Sequence, residues 1–364
     1  MFANRRLVLL LIAICLAGAL LPGVAAAKHA RHAHAARASH AAPPSISADS
    51  VNQAQYSPSQ KLDQVDPLML KAEILLDRGA FSPGQIDGRN GENLRKAIAA
   101  FQQSHGLDAT GKLDEATWNE LTKGANQPAI VEYKISQQDV KGPFAKSIPR
   151  ELEKMARLDH LSYTSPLELL GEKFHVDPKL LKRLNPGKKF DEPGTSIFVP
   201  NVGERDSSGR VARIEVDKGP RAVRALGENG ELIAFYPASI GSQEKPAPSG
   251  RFKVRKIAKE PTYHYDPKFK FKGVHTNRKL TVAAGPNNPV GAVWIDLTKE
   301  SYGIHGTPDP ERIGKTYSHG CIRLTNWDAL DLAKRVRKGT PVEFADEPPA
   351  LPTAAGPGEA RSRE

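Results

Sequence analysis

The sequence predicts a multidomain α+β protein: a small three-helix bundle, then a βααβ module, then a mostly-β domain. Three observations predict it. Apolar residues recur at helical spacing between residues 61 and 124. Two capped helices between residues 129 and 201 end on an Asn-Pro-Gly breaker and a short apolar run. Beyond residue 210, short β-rich runs alternate with turn signals. A length of 364 residues allows two or three folded units at one per ~150 residues. An apolar fraction of 39% excludes a wholly disordered chain, and two cysteines exclude a disulfide-built scaffold. The formal charge of +11 leaves nucleic acid, an anionic membrane surface and an acidic polymer open as partners.

Residues 1–27 read as a secretory signal peptide. Arg5 and Arg6 form a positive start, Leu7 to Leu21 an apolar run, and Ala25-Ala26-Ala27 a small-residue cleavage site. The alternative is an uncleaved anchor. The run is short for a span of ~20 residues, and the cleavage site favours removal. Ile14 before Cys15 does not suit a lipoprotein signal. Removal lowers the charge to +9 and leaves Cys321 as the only thiol, exported without a disulfide partner in its own chain.

Residues 28–60, rich in Ala, His, Ser and Pro, read as a disordered linker. His29, His32, His34 and His40 could bind metal only loosely, because nothing there fixes a coordination geometry. In residues 61–124, Leu94, Ala97, Ile98 and Phe101 repeat at the spacing of a core-facing helical stripe. Gly106 follows as a left-handed cap. Asp114 caps a third helix, with Leu113 and Trp118 placed as a hydrophobic staple. In residues 129–201, Ser165-Pro166-Leu167-Glu168 is a capping box with Pro at the first helical position. Asp177-Pro178 opens a second helix that stops at Asn185-Pro186-Gly187, and Ser196 to Pro200 reads as a strand. The entry strand is poorly marked, and residues 136–160 look like an insertion.

In residues 210–346, strands are expected over 211–216, 221–226, 231–237, 251–257, 279–284 and 293–297, with a hairpin at Asn229-Gly230 and a helix over 327–336. Residues 347–364 read as a disordered tail.

The chemistry concentrates in Tyr302-Gly303-Ile304-His305-Gly306-Thr307 and Tyr317-Ser318-His319-Gly320-Cys321-Ile322-Arg323-Leu324. Zinc is one reading, since two His and one Cys could supply three ligands, but no fourth stands at a usual spacing. A buried structural Cys is a second. It leaves unexplained the Ser-His-Gly before the thiol, since Gly weakens a strand interior. Nucleophilic catalysis is the third. A thiol needs a base within reach, the base needs an acceptor that fixes its tautomer, and backbone N–H groups beside the sulfur could hold an oxyanion. The residues alone leave open which His is the base.

These motifs resemble the L,D-transpeptidase catalytic domain of the YkuD-like family. His-Gly-Thr followed by Ser-His-Gly-Cys carries the resemblance, with Pro248-Ser249-Gly250-Arg251-Phe252 upstream. The resemblance implies a sandwich-like domain with Cys321 as nucleophile and His305 as proton donor and acceptor, oriented by the Gly306 carbonyl. The Gly320 and Cys321 amides would form the oxyanion hole, and Ser318, His319 and Tyr302 would shape the site. Arg323 stands where the broad motif often has Asn. It could bind a substrate carboxylate or form a structural salt bridge. No metal or cofactor is expected.

Gly84-Gln85-Ile86-Asp87-Gly88, Ala97 to Gln102 and Gly111 to Trp118 resemble a peptidoglycan-binding type 1 domain. Leu184-Asn185-Pro186 and Phe198-Val199-Pro200 are similar to a LysM module. Together these imply a periplasmic or cell-envelope enzyme with peptidoglycan as its partner. It would form 3→3 cross-links on tetrapeptide stems, with release of D-Ala. Lipoprotein attachment and L,D-carboxypeptidase activity at the same site are alternatives, as is a non-catalytic peptidoglycan-binding protein. Nucleic acid is not expected, because no basic patch interleaved with aromatic residues is evident.

Overall fold

The computed structural model describes residues 46–345, apart from 59–63, 204, 206–208, 243–244, 270–273, 275 and 319. The expected signal peptide, the tail and His319 lie outside the described residues. The described part of the expected linker departs from disorder. Ser47 and Ser50 form a capping box at α1 (Ala48–Asn52), and Ile46 and Val51 are buried in the second module's core. The Asn52 side chain donates to the Ile130 carbonyl and accepts from the Ile130 amide.

The bundle is α2 (Pro67–Arg78), α3 (Glu92–Ser104) and α4 (Glu115–Thr122). Asp66 and Asp114 accept from first-turn amides of α2 and α4, as N-caps do. Leu94, Ala97, Ile98 and Phe101 are buried together with Trp118. Gly106 has φ +68°, and Leu107 N–H reaches back to the Gln102 carbonyl, which closes α3.

The second module runs β1 (Ile130–Lys134), α5 (Gln137–Lys141), α6 (Leu152–Met155), α7 (Pro166–Lys173), α8 (Pro178–Leu184) and β2 (Ser196–Pro200). The poorly marked entry strand is present, antiparallel to β2. Asn185, the breaker residue, donates to the Leu181 and Phe198 carbonyls and accepts from the Phe198 amide. It thereby ties the end of α8 to β2.

The third region contains β3 (Arg213–Asp217), β4 (Ala222–Leu226), β5 (Leu232–Pro237), β6 (Ser239–Ile240), β7 (Gly250–Lys259), β8 (Tyr263–Tyr265), β9 (Leu280–Val282), β10 (Val293–Leu297), β11 (Gly303–His305), β12 (Ile322–Arg323), α9 (Asn326–Arg335) and β13 (Pro341–Ala345). Nine of these strands form one mixed sheet in the order β5-β4-β3-β13-β7-β10-β11-β12-β6. The first half of β7 pairs with β13 and the second half with β10. This long strand carries the sheet around a single apolar core that α9 also enters. The domain is mostly β, as expected, and differs from a simple sandwich in one respect: the strands make one coiled, near-barrel sheet, because β7 bridges what would be two halves. β8 and β9 pair separately. Among the described residues, no helix is long and apolar enough to cross a membrane.

The three regions share packing. Ile86 of the bundle lies in the second module's core, and Phe235 of β5 lies in the bundle's core. Arg205 is buried among Asp77 of α2 and Asp328 and Asp331 of α9.

Candidate active site

β11 and β12 run parallel, with Ile304 opposite Ile322 and His305 opposite Arg323. Ile304 and Ile322 are fully buried in the core. Strand alternation therefore turns Gly303, His305 and Arg323 to the opposite face. Cys321, one residue before β12, joins them beside Gly303. On the other flank Trp294 of β10 sits opposite His305, and Ser239 of β6 sits opposite Arg323. One row of the sheet thus reads Trp294, His305, Arg323, Ser239. The Trp294 ring stacks on the His305 imidazole with centroids 5.3 Å apart. Any side chain at Gly303 would meet that indole, whose nearest atom is 2.5 Å from the Cβ position.

His305 is 3% exposed. Its Nδ1–H donates to the Gly306 carbonyl at 2.7 Å, which leaves Nε2 as the free lone pair. Burial, with the Arg323 charge added, pushes its pKa down to about 3 against the opposing Gly306 hydrogen bond. The imidazole is therefore neutral, in the form a base requires. Asn326 fixes the orienting peptide. Its Oδ1 accepts from the Ala292 amide at 3.0 Å and packs where a Gly306 side chain would stand.

Cys321 is partly exposed. Its thiol lies 3.7 Å from the Ser301 carbonyl, to which it donates. Burial pushes the thiol pKa up, while the Gly303 amide and the Arg323 guanidinium pull it down. Burial thus favours a neutral thiol, as it favours a neutral imidazole. The preceding loop is tied by Ser318, 2% exposed. Ser318 Oγ donates to the Cys321 carbonyl and accepts from the Gly320 amide. Gly320 has φ +111°. A Cβ there would sit 3.3 Å from the Tyr302 ring.

The structure thus brings Cys321, His305, Gly306, Ser318, Gly320, Tyr302 and Arg323 into one neighbourhood. Sequence reasoning missed Trp294, Tyr263 and Asn326. Trp294 was readable, since it is an aromatic at the outward position between buried Val293 and Ile295. Tyr263 on β8 has its phenol pKa raised by burial and then by the Cys321 charge, which places it near the thiol. Nothing in its local sequence signals this. Asn326 looks like an ordinary helix start. Among the described residues no group of three His, Cys, Asp or Glu could hold a metal ion.

A thiol and a neutral, oriented imidazole on one face of a mixed sheet make a site suited to acyl transfer. The family model of the L,D-transpeptidase catalytic domain matches residues 212–344, and that described as "Putative peptidoglycan binding domain" matches 67–121. The protein named "Putative L,D-transpeptidase YkuD" of Bacillus licheniformis is 33% identical over 180 residues, which cover 49% of this chain and 92% of that protein. The "Probable L,D-transpeptidase YbiS" of Escherichia coli K12 is 29% identical over 51% of this chain and 61% of its own. A solved L,D-transpeptidase from Mycobacterium smegmatis is 23% identical, with a TM-score of 0.30 over 42% of this chain and 63% of its own. The chain belongs to the YkuD-like L,D-transpeptidase family.

Proposed function

We propose that the chain is a peptidoglycan L,D-transpeptidase of the cell envelope that forms 3→3 cross-links. The observation that carries the reading is the shared face of Cys321 and His305, with the imidazole neutral and its Nε2 unengaged by Gly306. Cys321 Sγ attacks the carbonyl of the third residue of a tetrapeptide stem while His305 Nε2 takes the thiol proton. The carbonyl–nitrogen bond to D-Ala then breaks, His305 returns the proton to the departing amine, and a thioester remains. An amine of a second stem attacks the thioester. His305 accepts its proton and hands it back to sulfur, so that an amide forms and the thiol is restored. Arg323 holds a substrate carboxylate beside the thiol.

The Gly320 and Cys321 amides stabilise the oxyanion. Gly320 N–H is engaged with Ser318 Oγ at 3.2 Å. Its share in an oxyanion hole therefore requires that bond to be exchanged for substrate, whereas the Cys321 amide lies at the nucleophile itself. The bundle and the LysM-like module hold the wall polymer and raise the local concentration of stems. Export by residues 1–27 delivers the chain to the envelope.

The test is mass spectrometry of disaccharide-tetrapeptides incubated with the protein. Cross-linked dimers with loss of one D-Ala are expected. Tripeptides alone would mean water is the acceptor and the enzyme a carboxypeptidase.

A further inference from the structure

A cavity of about 910 Å³ lies behind the catalytic sheet, between the second module and α9, and apart from Asn326 and Ala292 its lining has no role in the reaction above. Its size falls within the roughly 300–1,000 Å³ of small-molecule sites. Phe144, Tyr163 and Trp327 give it aromatic walls, and Gln138, Ser162 and Asn326 give it neutral polar groups.

The charges on its lining are mostly cancelled within the protein. Lys173 donates to Asp139 at 2.9 Å, and Arg205 is buried among aspartates. His175 pairs with Asp77 at 2.9 Å. Glu172 hydrogen-bonds Asn326, and burial pushes its pKa up to about 8, so it is largely uncharged at neutral pH. Glu260 and Lys334 are exposed and of opposite sign. Such a lining attracts neither an anionic stem nor a cation, and suits a neutral ligand rich in hydroxyl and amide groups.

Trp327 would report an occupant. Trp327 is 7% exposed, and its indole Nε1–H has no hydrogen-bond partner among the described residues. A buried N–H without a partner is destabilising. Trp327 is held rigidly, because His175 stacks on its ring at 5.0 Å and 9°. Trp327 lines the cavity, so a ligand there meets its ring, and the aromatic walls would cover the apolar faces of a sugar ring.

We propose that this cavity binds a neutral saccharide segment of the glycan strand, separately from the stem-binding site at Cys321. The proposal rests on the wall-binding reading above and names where, and through which part of the polymer, the wall is held. Asn326 and Ala292 line the cavity and also back the Gly306 peptide, so the occupant sits directly behind the His305 orienter.

The test uses the full chain and the β-1,4 trimer of N-acetylglucosamine, followed by ¹H–¹⁵N spectra. The chain has three tryptophans, hence three indole signals, and Trp327→Phe and Trp294→Phe assign two of them. The Trp327 signal is expected to move on titration, with those of Trp294 and Trp118 unmoved. Phe144→Ala and Tyr163→Ala, each checked for an unchanged fold by near-ultraviolet circular dichroism, should weaken binding about tenfold or more. Cys321→Ala should leave it unchanged. Movement confined to Trp294 or Trp118, no movement at saturation, or an equal Trp327 response to a sugar-free tetrapeptide would overturn the proposal. Pelleting with intact sacculi separates the two claims. If sacculi pellet the chain while the trimer leaves Trp327 unmoved, this cavity assignment fails and the wall-binding reading stands. If sacculi do not pellet the chain, the wall-binding reading fails and takes this one with it.

Discussion

The carbonyl of Gly306 accepts the Nδ1–H of His305 at 2.7 Å, and Asn326 Oδ1 occupies the place where a Gly306 side chain would go. The residue that fixes the imidazole is thus itself fixed from behind. Gly306→Ala must displace either Asn326 or the orienting peptide. A loss of about 1–3 kcal/mol is expected from such overpacking, with a fall in cross-linking larger than the stability change alone would cause. Urea unfolding and dimer formation measured on the same variant check this, and wild-type values for both would contradict it.

The depressed pKa of His305 makes a stability prediction with a defined sign. The unfolded imidazole takes up a proton below its usual 6.5, whereas the folded one does so only near 3. Between these values the unfolded state binds more protons, so stability falls as pH drops. The slope from this group is at most about 1.4 kcal/mol per pH unit. The contribution is fully present above pH 6.5. In His305→Gln this part of the acid slope should disappear, as read by denaturant midpoints across pH 4 to 7. An unchanged slope would mean the imidazole is solvated.

Arg323 stands beside both His305 and the thiol. If its fork holds a substrate carboxylate, Arg323→Lys should raise KM several-fold with a smaller change in kcat, because an ammonium cannot pair in a bidentate way. Unchanged kinetics would assign it to structure alone.

Arg205 is the centre of a buried network with Asp77, Asp328 and Asp331 that joins the bundle to α9. Arg205→Met leaves Asp328 buried without its cation, with Asp77 left to His175 and Asp331 to Arg335, and a destabilisation of about 3–5 kcal/mol is expected. Thermal unfolding of the full chain measures it. A neutral result would show that these carboxylates take up protons at no cost.

Much of the fold was legible where local signals were strong. Asp114, Ser165 and Asp177 cap their helices, and Asn185-Pro186-Gly187 ends α8 as its chemistry dictates. The run Val293 to Leu297 is a strand to the residue. Strands β6, β8, β11 and β12 were not legible, since each is two or three residues long and exists only by pairing with distant segments. The same cause hid the site's walls. Trp294 and Tyr263 reach it through sheet register, which no local pattern records. Cys321, His305 and Arg323 could be singled out because their residue types carry reactivity. Their common face became visible only with the parallel pairing of β11 and β12.

In the proposed reaction Cys321 carries the acyl group, and wall binding is separate from it. Cys321→Ala, incubated with disaccharide-tetrapeptides and with intact sacculi, tests both halves at once. No cross-linked dimer and no released D-Ala are expected by mass spectrometry, with co-pelleting on sacculi equal to that of the unaltered chain. Dimer formation by the Cys321→Ala protein would contradict it.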